Sequence, residues 1–280
     1  MSLVSDADAP PPAPAPAPAP LLSLPSLPSL VHLAPGPSAP PTEPPLDDGT
    51  GPLRFYCSEA MGVRDSKATP LLNERDRNGP RAILCNFAPI RVRVLWDGVY
   101  YEFPSSEHAF QALKFVRAAG MEPDPALKQA YLAYAQVVGN ARTPNRSYLL
   151  AQMKTRADGE LSLSGGGDRT FGPNKKTGFA GSPDFLAMKA AFDAGVRNVG
   201  PKWKDADRLA VMDLCLYAKF VTNADERPKA YLLSTGDREL VEHTTRDSFW
   251  GDGGDGTGAN QLGKALMRIR TQLQEWARFD

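Results

Sequence analysis

The stretch Pro104-Ser105-Ser106-Glu107-His108-Ala109-Phe110-Gln111-Ala112-Leu113-Lys114-Phe115 stands where a predicted β-hairpin leads into a helix. A serine directly after a proline is typical of a helix N-cap, and Glu107 then falls in the first turn. Apolar residues recur at helical spacing and predict the buried face of this helix: Ala109, Phe110, Leu113 and Val116. The stretch therefore predicts both where a helix begins and which of its faces is buried.

Further elements are predicted on either side of this helix. Residues 90–94 and 99–103 read as the two strands of the hairpin, and Asp97-Gly98 fits its tight turn. Residues 53–56 read as a short strand. Apolar periodicity predicts later helices at 124–138, at 184–194, at 205–220 and from Asn260 onward. Apart from the helix at 184–194, the apolar pattern of residues 143–199 is less regular.

The N-terminal part of the chain differs from the rest in composition. Residues 1–53 are dominated by proline, alanine, serine and leucine, and no lysine or arginine precedes Arg54. Such a segment favours polyproline II and cannot bury enough apolar surface to offset its ordering entropy. We predict a disordered arm over residues 1–53 and a single domain over residues 54–280. The arm is either a docking segment for an aromatic-lined groove or a solvated tail.

Charge and cysteine content limit the classes of function. The 280 residues include 32 basic and 32 acidic side chains, so no global field attracts DNA, RNA or anionic membranes. The odd set Cys57, Cys85 and Cys215 lacks metal-binding spacing, which favours reduced thiols in a cytoplasmic compartment. No run of about 18 apolar residues occurs, so no membrane span is expected. We expect no metal and no cofactor.

A glycine-rich loop precedes the last predicted helix. From Trp250 to Gly263 it reads Trp-Gly-Asp-Gly-Gly-Asp-Gly-Thr-Gly-Ala-Asn-Gln-Leu-Gly. Its backbone N–H groups and those of the helix start can bind phosphate or pyrophosphate, while Trp250 can stack on a base or sugar ring. The predicted ligand-binding residues of the loop are Trp250, Gly251, Asp252, Gly253, Gly256, Gly258 and Asn260. Asn260 is also predicted to cap the helix. The alternative is a flexible hinge.

Glu107, Gln111 and Lys114 follow one another at i, i+4 and i+7 on the face opposite the apolar one. This pattern has two interpretations. It is either a solvated face with an ordinary charge pattern, or a site that combines a carboxylate, an amide and an amine.

The helix stretch resembles the hallmark helix of the NADAR (YbiA-like) superfamily, whose pattern is roughly T-S-E-H-x-F-Q-A-x-K-F. Further blocks match in the same order, at residues 55–56, 85–89, 212–220, 232–243 and 247–267. The last of these resembles the family pattern D-x-x-W-G-x-G…G-x-N-x-L-G-x-x-L-M. There are departures: Cys85 replaces a serine, Lys202 replaces an acidic residue before Trp203, and residues 147–198 look like an insertion.

The resemblance implies a predominantly helical α+β domain that binds ADP-ribose-like or ribose-phosphate ligands and hydrolyses N-glycosidic bonds. The family's substrates are ribosylamino-pyrimidine intermediates of riboflavin synthesis and ADP-ribosyl-guanine. Cleavage of a C1–N bond requires a carboxylate near C1 and a proton source near the leaving base. Glu107 is predicted to stabilise the oxocarbenium ion or activate water, ionised by its first-turn position and the nearby amine. Lys114 is predicted to donate a proton or to attack C1 as an amine.

The remaining predicted ligand contacts are Asn86, Phe87 and Gln111. A second hypothesis is a non-catalytic module that binds NAD or ADP-ribose, with Phe87 and Trp250 flanking a ring and Glu107 bonded to ribose hydroxyls. In either case the expected partner is a nucleotide or ribose-phosphate small molecule. An ADP-ribosylated nucleic acid is the alternative partner.

Overall fold

The computed structural model describes residues 51–56, 80–155, 159, 161, 182–200 and 203–279. Within these residues the α-helices are α1 (Ser106–Met121), α2 (Pro125–Gly139), α3 (Pro144–Gln152), α4 (Pro183–Asp193), α5 (Asp205–Phe220), α6 (Arg227–Ser234) and α7 (Gln261–Trp276). The strands are β1 (Leu53–Phe55), β2 (Val92–Trp96), β3 (Val99–Phe103) and β4 (Leu240–Glu242). The fold is α+β and predominantly helical, as predicted. Of the predicted arm, residues 1–50 lie outside the described residues.

Helix α1 begins as its sequence predicts. Ser105 is the N-cap, and its Oγ accepts a hydrogen bond from the backbone N–H of His108 at 3.4 Å. The imidazole of His108 lies between Ser105 Oγ at 2.8 Å and the carbonyl of Ala141 at 3.0 Å, and this ties the start of α1 to the segment after α2. Both ring nitrogens are thereby engaged, so His108 has a structural role.

Helix α1 lies in the middle of the molecule. It packs against α2, α3, α5 and the β2–β3 hairpin. Every residue from 106 to 116 is buried, including the polar ones, because neighbours cover both faces. The apolar face over Ala109, Phe110, Leu113 and Val116 is confirmed, whereas the interpretation of the opposite face as solvated is wrong.

The strands form two separate pairs. Strands β2 and β3 are antiparallel, with Val92 opposite Phe103 and Trp96 opposite Val99. Asp97 and Gly98 both have positive φ angles, of 49° and 78°, as a tight hairpin turn requires. The predicted hairpin is therefore confirmed, with its first strand two residues later than expected.

Strands β1 and β4 pair in parallel, from Leu53 opposite Leu240 to Phe55 opposite Glu242. The carboxyl ends of both strands point to the same side of the pair. The chain continues from β4 through His243, whose N–H donates to the carbonyl of Phe55 at 3.1 Å, into the glycine-rich loop. This arrangement brings the start of the loop close to the carboxyl end of β1.

Three elements are not predicted from the sequence: α3, α6 and β4. Helix α3 lies within the stretch interpreted as less regular, and a Thr143 N-cap followed by Pro144 starts it. Helix α6 spans eight residues and β4 only three, so neither is long enough for a periodic pattern to emerge. Within the described parts of the chain, no helix is long and apolar enough to cross a bilayer.

Candidate functional site

Glu107, Gln111 and Lys114 form a hydrogen-bonded line inside the protein. The Gln111 amide nitrogen donates to Glu107 Oε1 at 2.7 Å, and its amide oxygen accepts from Lys114 Nζ at 2.6 Å. The three side chains are only 5%, 2% and 9% exposed. Gln111 therefore holds a carboxylate and an amine in fixed positions on one side of α1.

The segment before the hairpin positions the start of this line. The backbone N–H of Glu107 donates to the carbonyl of Asn86 at 3.1 Å. One residue earlier, the carbonyl of Cys85 accepts from Nζ of the fully buried Lys219 on α5 at 2.8 Å. Lys219 thus supports the backbone to which Glu107 is bonded, and sequence reasoning did not single it out.

Asn86 itself combines a structural contact with an unused acceptor. Its amide nitrogen lies 3.1 Å from Met212 Sδ, whereas its Oδ1 is buried and has no hydrogen-bond partner among the described residues. A buried amide oxygen without a partner costs free energy unless a ligand or water bonds to it. The predicted ligand contact at Asn86 is therefore compatible with its geometry. Phe87 is half-buried and packs against the core.

Aromatic rings surround the amine of Lys114. Its Nζ lies 4.7 Å from the centroid of Phe110 and 5.9 Å from that of Trp203. Both Trp203 and Trp250 contact Phe110 edge to face, with centroid distances of 5.8 and 5.5 Å. Trp250 is thus partly buried by packing, next to the ring above which Lys114 lies. Rings of this kind favour a cation above their faces and exclude water around it.

Burial shifts the pKa values of both ionisable groups of the line. Desolvation raises the pKa of Glu107 to about 6, although the Gln111 hydrogen bond and the Lys114 charge oppose the shift. Desolvation lowers the pKa of Lys114 to about 8, although Glu107 opposes that shift. The amine favours the ionised form of Glu107, as expected, but burial outweighs it and leaves the pKa above its usual value. The lowered pKa of Lys114 meets the condition set for a reactive amine.

Two more carboxyl groups lie within electrostatic reach of Glu107, and neither was predicted. The charges of Asp247 and Glu107 are among the causes that raise the pKa of Glu242 well above its usual value, after desolvation and Cys85. Asp247 Oδ1 accepts from the N–H groups of Phe249 and Trp250, both at 2.8 Å. The Asp-x-x-Trp spacing is the sequence signal for this turn, and its significance was overlooked.

A tyrosine of the predicted insertion also borders this group. Burial raises the pKa of Tyr148 on α3, and the charges of Glu107 and Asp247 add to the effect. Tyr148 is 42% exposed. Tyr148 is therefore a partly exposed residue within electrostatic reach of Glu107 and Asp247.

The glycine-rich loop is closed by its own hydrogen bonds. The N–H groups of Gly256 and Gly258 donate to the carbonyl of Asp252, at 3.1 and 2.8 Å, and that of Gly254 donates to Asp252 Oδ1 at 2.9 Å. The N–H groups of Gln261 and Leu262, which start α7, donate to the carbonyls of Phe249 and Trp250. The prediction that these groups face an anion is therefore wrong, because each already has an acceptor.

The other polar groups of the loop also serve its structure. The Asp252 carboxylate is buried, lies 2.7 Å from His243 Nδ1 and accepts from the N–H of Thr244 at 3.2 Å. Asn260 has φ 47° and makes no side-chain cap. Its side chain instead accepts from the N–H of Glu242 at 3.1 Å and donates to the carbonyl of Leu240 at 2.9 Å, so it completes one edge of β4. The predicted capping role is wrong.

Several glycines of the loop are required by packing. A Cβ at Gly251 would lie 2.5 Å from Thr244 and 2.8 Å from the carbonyl of Glu242, and one at Gly258 would lie 2.5 Å from the backbone of Asp252. Gly253 and Gly256 have φ angles of 73° and 86°, which side-chain-bearing residues rarely adopt. These glycines support the loop, and nothing in their geometry places them against a ligand.

The structure thus brings together part of the predicted set. Glu107, Gln111, Lys114, Asn86 and Trp250 lie around one site at the start of α1. The remaining predicted loop residues bond and pack within the loop and against β4: Gly251, Asp252, Gly253, Gly256, Gly258 and Asn260. A shallow depression between Gly51, Pro52 and residues 237–239 lies at the opposite, amino ends of β1 and β4 and contains none of these groups. Among the described residues, no group of side chains is arranged to hold a metal ion.

Comparison with known proteins confirms the family resemblance. A model of the NADAR domain matches residues 180–274. A riboflavin biosynthesis protein of Vibrio vulnificus is 49% identical over 79 residues, which are 28% of this chain and 20% of that protein. The N-glycosidase YbiA of Escherichia coli is 52% identical over 63 residues, which are 22% of this chain and 38% of YbiA. An N-glycosidase of Nostoc punctiforme is 43% identical over 78 residues, which are 28% of this chain and 48% of that protein.

The matched regions span from a fifth to about half of the length of these curated relatives. The solved NMR structure of Escherichia coli YbiA matches with a TM-score of 0.42 and 24% identity, over 81% of this chain and 87% of that one. The family match begins at residue 180, so it includes the last part of the predicted insertion over residues 147–198.

Proposed function

We propose that this chain, of which residues 180–274 match the NADAR domain, is an N-glycosidase that hydrolyses the C1–N bond of a ribosyl-phosphate or ADP-ribosyl substrate. The observation that supports this most directly is the buried line Glu107–Gln111–Lys114, which holds a carboxylate and an amine on either side of one amide. Related proteins named N-glycosidase and riboflavin biosynthesis protein support the same class of reaction. A cytoplasmic location belongs to this proposal, since Cys85 and Cys215 are buried thiols.

In the proposed reaction, water adds to ribose C1 while the C1–N bond breaks. Glu107, ionised above its pKa of about 6, accepts a proton from that water and stabilises the positive charge that develops on the ribose ring. Lys114, protonated below its pKa of about 8, gives a proton to the leaving nitrogen. The hydrogen bonds of Gln111 match an ionised Glu107 and a protonated Lys114. Its amide nitrogen donates to the carboxylate, and its amide oxygen accepts from the ammonium group.

A second course of reaction assigns Lys114 a covalent role. The neutral amine attacks C1 as the C1–N bond breaks, and the proton that the amine then loses passes to the leaving base nitrogen. Water hydrolyses the lysine adduct at C1, which releases the ribose and restores the amine. The lowered pKa of Lys114 favours this step, because a neutral amine is the nucleophile. The first course requires a protonated Lys114, whereas the second requires a neutral one.

The first experiment tests whether Glu107 takes part in turnover. Glu107→Gln preserves volume but removes the base, so kcat on ribosylamino-pyrimidine phosphate and ADP-ribosyl-guanosine should fall about a hundredfold or more. The matched control is Glu102→Gln, because Glu102 lies on the exposed side of β3 and should leave kcat unchanged. Unchanged turnover in Glu107→Gln would remove this residue from the mechanism.

The pH dependence of kcat distinguishes the two roles of Lys114. A proton donor gives a bell-shaped profile with an acid limb near pH 6 and an alkaline limb near pH 8. A nucleophilic amine gives a rate that keeps rising through pH 8, and borohydride should then trap a reduced sugar adduct on Lys114. Lys264→Met, on the exposed side of α7, is the control for Lys114→Met.

The competing function is a module that binds NAD or ADP-ribose without turnover. Calorimetry with ADP-ribose, followed by analysis of released base over the same substrate panel, separates the two. Tight binding with no released base from any substrate would favour the binding module and contradict the N-glycosidase.

A further inference from the structure

The proposed site is rich in carboxyl groups, and this creates a problem for a phosphorylated substrate. Glu107, Glu242 and Asp247 lie within electrostatic reach of one another. A phosphate monoester would bring up to two further negative charges to the same site. A cationic group must therefore face the phosphate, and the hydrogen-bonded loop does not offer its N–H groups for this purpose.

Arg208 supplies such a group beside the loop. It lies in the first turn of α5, and its guanidinium stacks over the ring of Phe249 with Cζ 4.0 Å from the centroid. This stacking fixes the plane of the guanidinium and leaves its edge free to carry hydrogen bonds. At that edge Nε and one Nη donate to the carboxylate of Asp205, three residues earlier on the same helix, with Nε at 2.9 Å.

The ion pair with Asp205 is easily exchanged for another anion. The side chains of Arg208 and Asp205 are 35% and 65% exposed. Ion pairs between such exposed neighbours contribute little to stability. A phosphate can therefore replace the Asp205 carboxylate at small cost and gain a bidentate contact.

A row of three rings connects Arg208 to the amine of the proposed site. Phe249 contacts Trp250 at a centroid distance of 5.0 Å, and Trp250 contacts Phe110 at 5.5 Å. Lys114 Nζ lies above the far end of the row, over Phe110. The positive charge of Arg208 contributes to the lowered pKa of Lys114. The guanidinium and the ammonium thus lie at opposite ends of one aromatic wall.

We propose that Arg208, held over Phe249, binds the phosphate of the substrate while Lys114 and Glu107 act at the other end of the wall on ribose C1. This assignment rests on the proposed N-glycosidase function. It makes Arg208 the residue that selects phosphorylated over unphosphorylated ribosyl substrates. Sequence reasoning attributed that task to the glycine-rich loop.

The test is calorimetric binding of three probes, ribose, ribose 5-phosphate and ADP-ribose, to the full chain and to its variants. Arg208→Ala should weaken binding of ribose 5-phosphate about 10- to 100-fold, the range for a lost charge-assisted contact, and leave ribose unchanged. Arg208→Lys should recover part of the loss, because it keeps the charge but not the bidentate geometry. Arg268→Ala is the control, since Arg268 forms a comparable exposed pair with Asp213 at 2.8 Å.

Each outcome bears on the proposal. Equal loss for ribose and ribose 5-phosphate, no loss for either phosphate probe, equal loss in Arg268→Ala, or no binding of either phosphate probe by the parent protein would overturn it. A larger loss for ADP-ribose than for ribose 5-phosphate would assign the arginine to a pyrophosphate. Binding that depends on Arg208 without turnover of any substrate would contradict the proposed function while supporting the phosphate contact.

Discussion

The glycine-rich loop and the first three turns of α1 satisfy their polar groups in opposite ways. In the loop, the N–H groups of Gly254, Gly256 and Gly258, the Asp252 carboxylate and the Asn260 amide bond to neighbouring loop and strand atoms. In α1, Glu107 and Lys114 lie buried with an amide between them, and desolvation moves both pKa values toward the neutral forms. The polar groups named in the loop therefore stabilise the fold. In α1, by contrast, the burial of two ionisable groups lowers the stability of the folded state, and folding alone does not require it. Such a cost is typical of functional sites.

The largest effect is expected where the loop meets β4. A Cβ at Gly263 would lie 2.0 Å from the carbonyl of Leu240 and 2.5 Å from Asn260 Oδ1. Gly263→Ala should therefore push α7 away from β4 and lower the free energy of unfolding by about 3 kcal/mol or more. Urea denaturation measures the change.

The matched variant is Gly120→Ala in α1, where nothing lies within 4 Å of the new Cβ. It should be neutral or stabilising by up to about 1 kcal/mol. If the two variants unfold at the same urea concentration, the loop is a hinge and not a support.

An effect of intermediate size and opposite sign is expected in α1. The double variant Glu107→Gln with Lys114→Met removes two buried charges and should raise the free energy of unfolding by about 2 kcal/mol while abolishing turnover. This corresponds to a rise in Tm of about 4–8 °C at this size. Thermal unfolding at several pH values checks it.

The pH dependence of this gain follows from the two shifts. The pKa of Glu107 is raised from 4.5 to about 6, so its contribution favours the folded state below pH 4.5 and is lost as pH rises through 6. The pKa of Lys114 is lowered from 10.5 to about 8, so its contribution favours the folded state above pH 10.5 and is lost as pH falls through 8. The gain of the double variant should be greatest between pH 6 and 8. A gain independent of pH would mean that the charges are not its cause.

The smallest effect is expected at Gly256, which lies in the loop but packs against nothing within 4 Å. Its φ of 86° makes Gly256→Ala strained, at a cost of about 1–2 kcal/mol in the free energy of unfolding. Affinity for ribose 5-phosphate should not change, because its N–H already bonds to Asp252. A loss of affinity larger than the loss of stability would restore the loop as an anion site.

The long amphipathic segments could be predicted from the sequence because their periodicity is local. Helix α5 coincides with its predicted range, and α1 begins at the predicted N-cap. The burial of Glu107 could not be predicted in the same way, because it depends on α2, α3 and α5 packing around α1. The hydrogen bonds of the loop could not be predicted for a related reason: the acceptor of the Asp252 N–H is the carbonyl of Glu242, ten residues earlier in a strand too short to be recognised.

The parallel pairing of β1 with β4 has a consequence for the order of folding. It joins two segments that lie near opposite ends of the domain, while α1 and α2 meet through a short connection. Closing so long a loop costs entropy before any contact compensates for it, so this pairing should form late. Glu107 lies in the part of the chain between β1 and β4, whereas Asp247 and Trp250 come after β4. We expect the two halves of the site to meet only in the final step of folding. Pulse-labelled hydrogen exchange would contradict this if the amide of His243 became protected as early as those of α1.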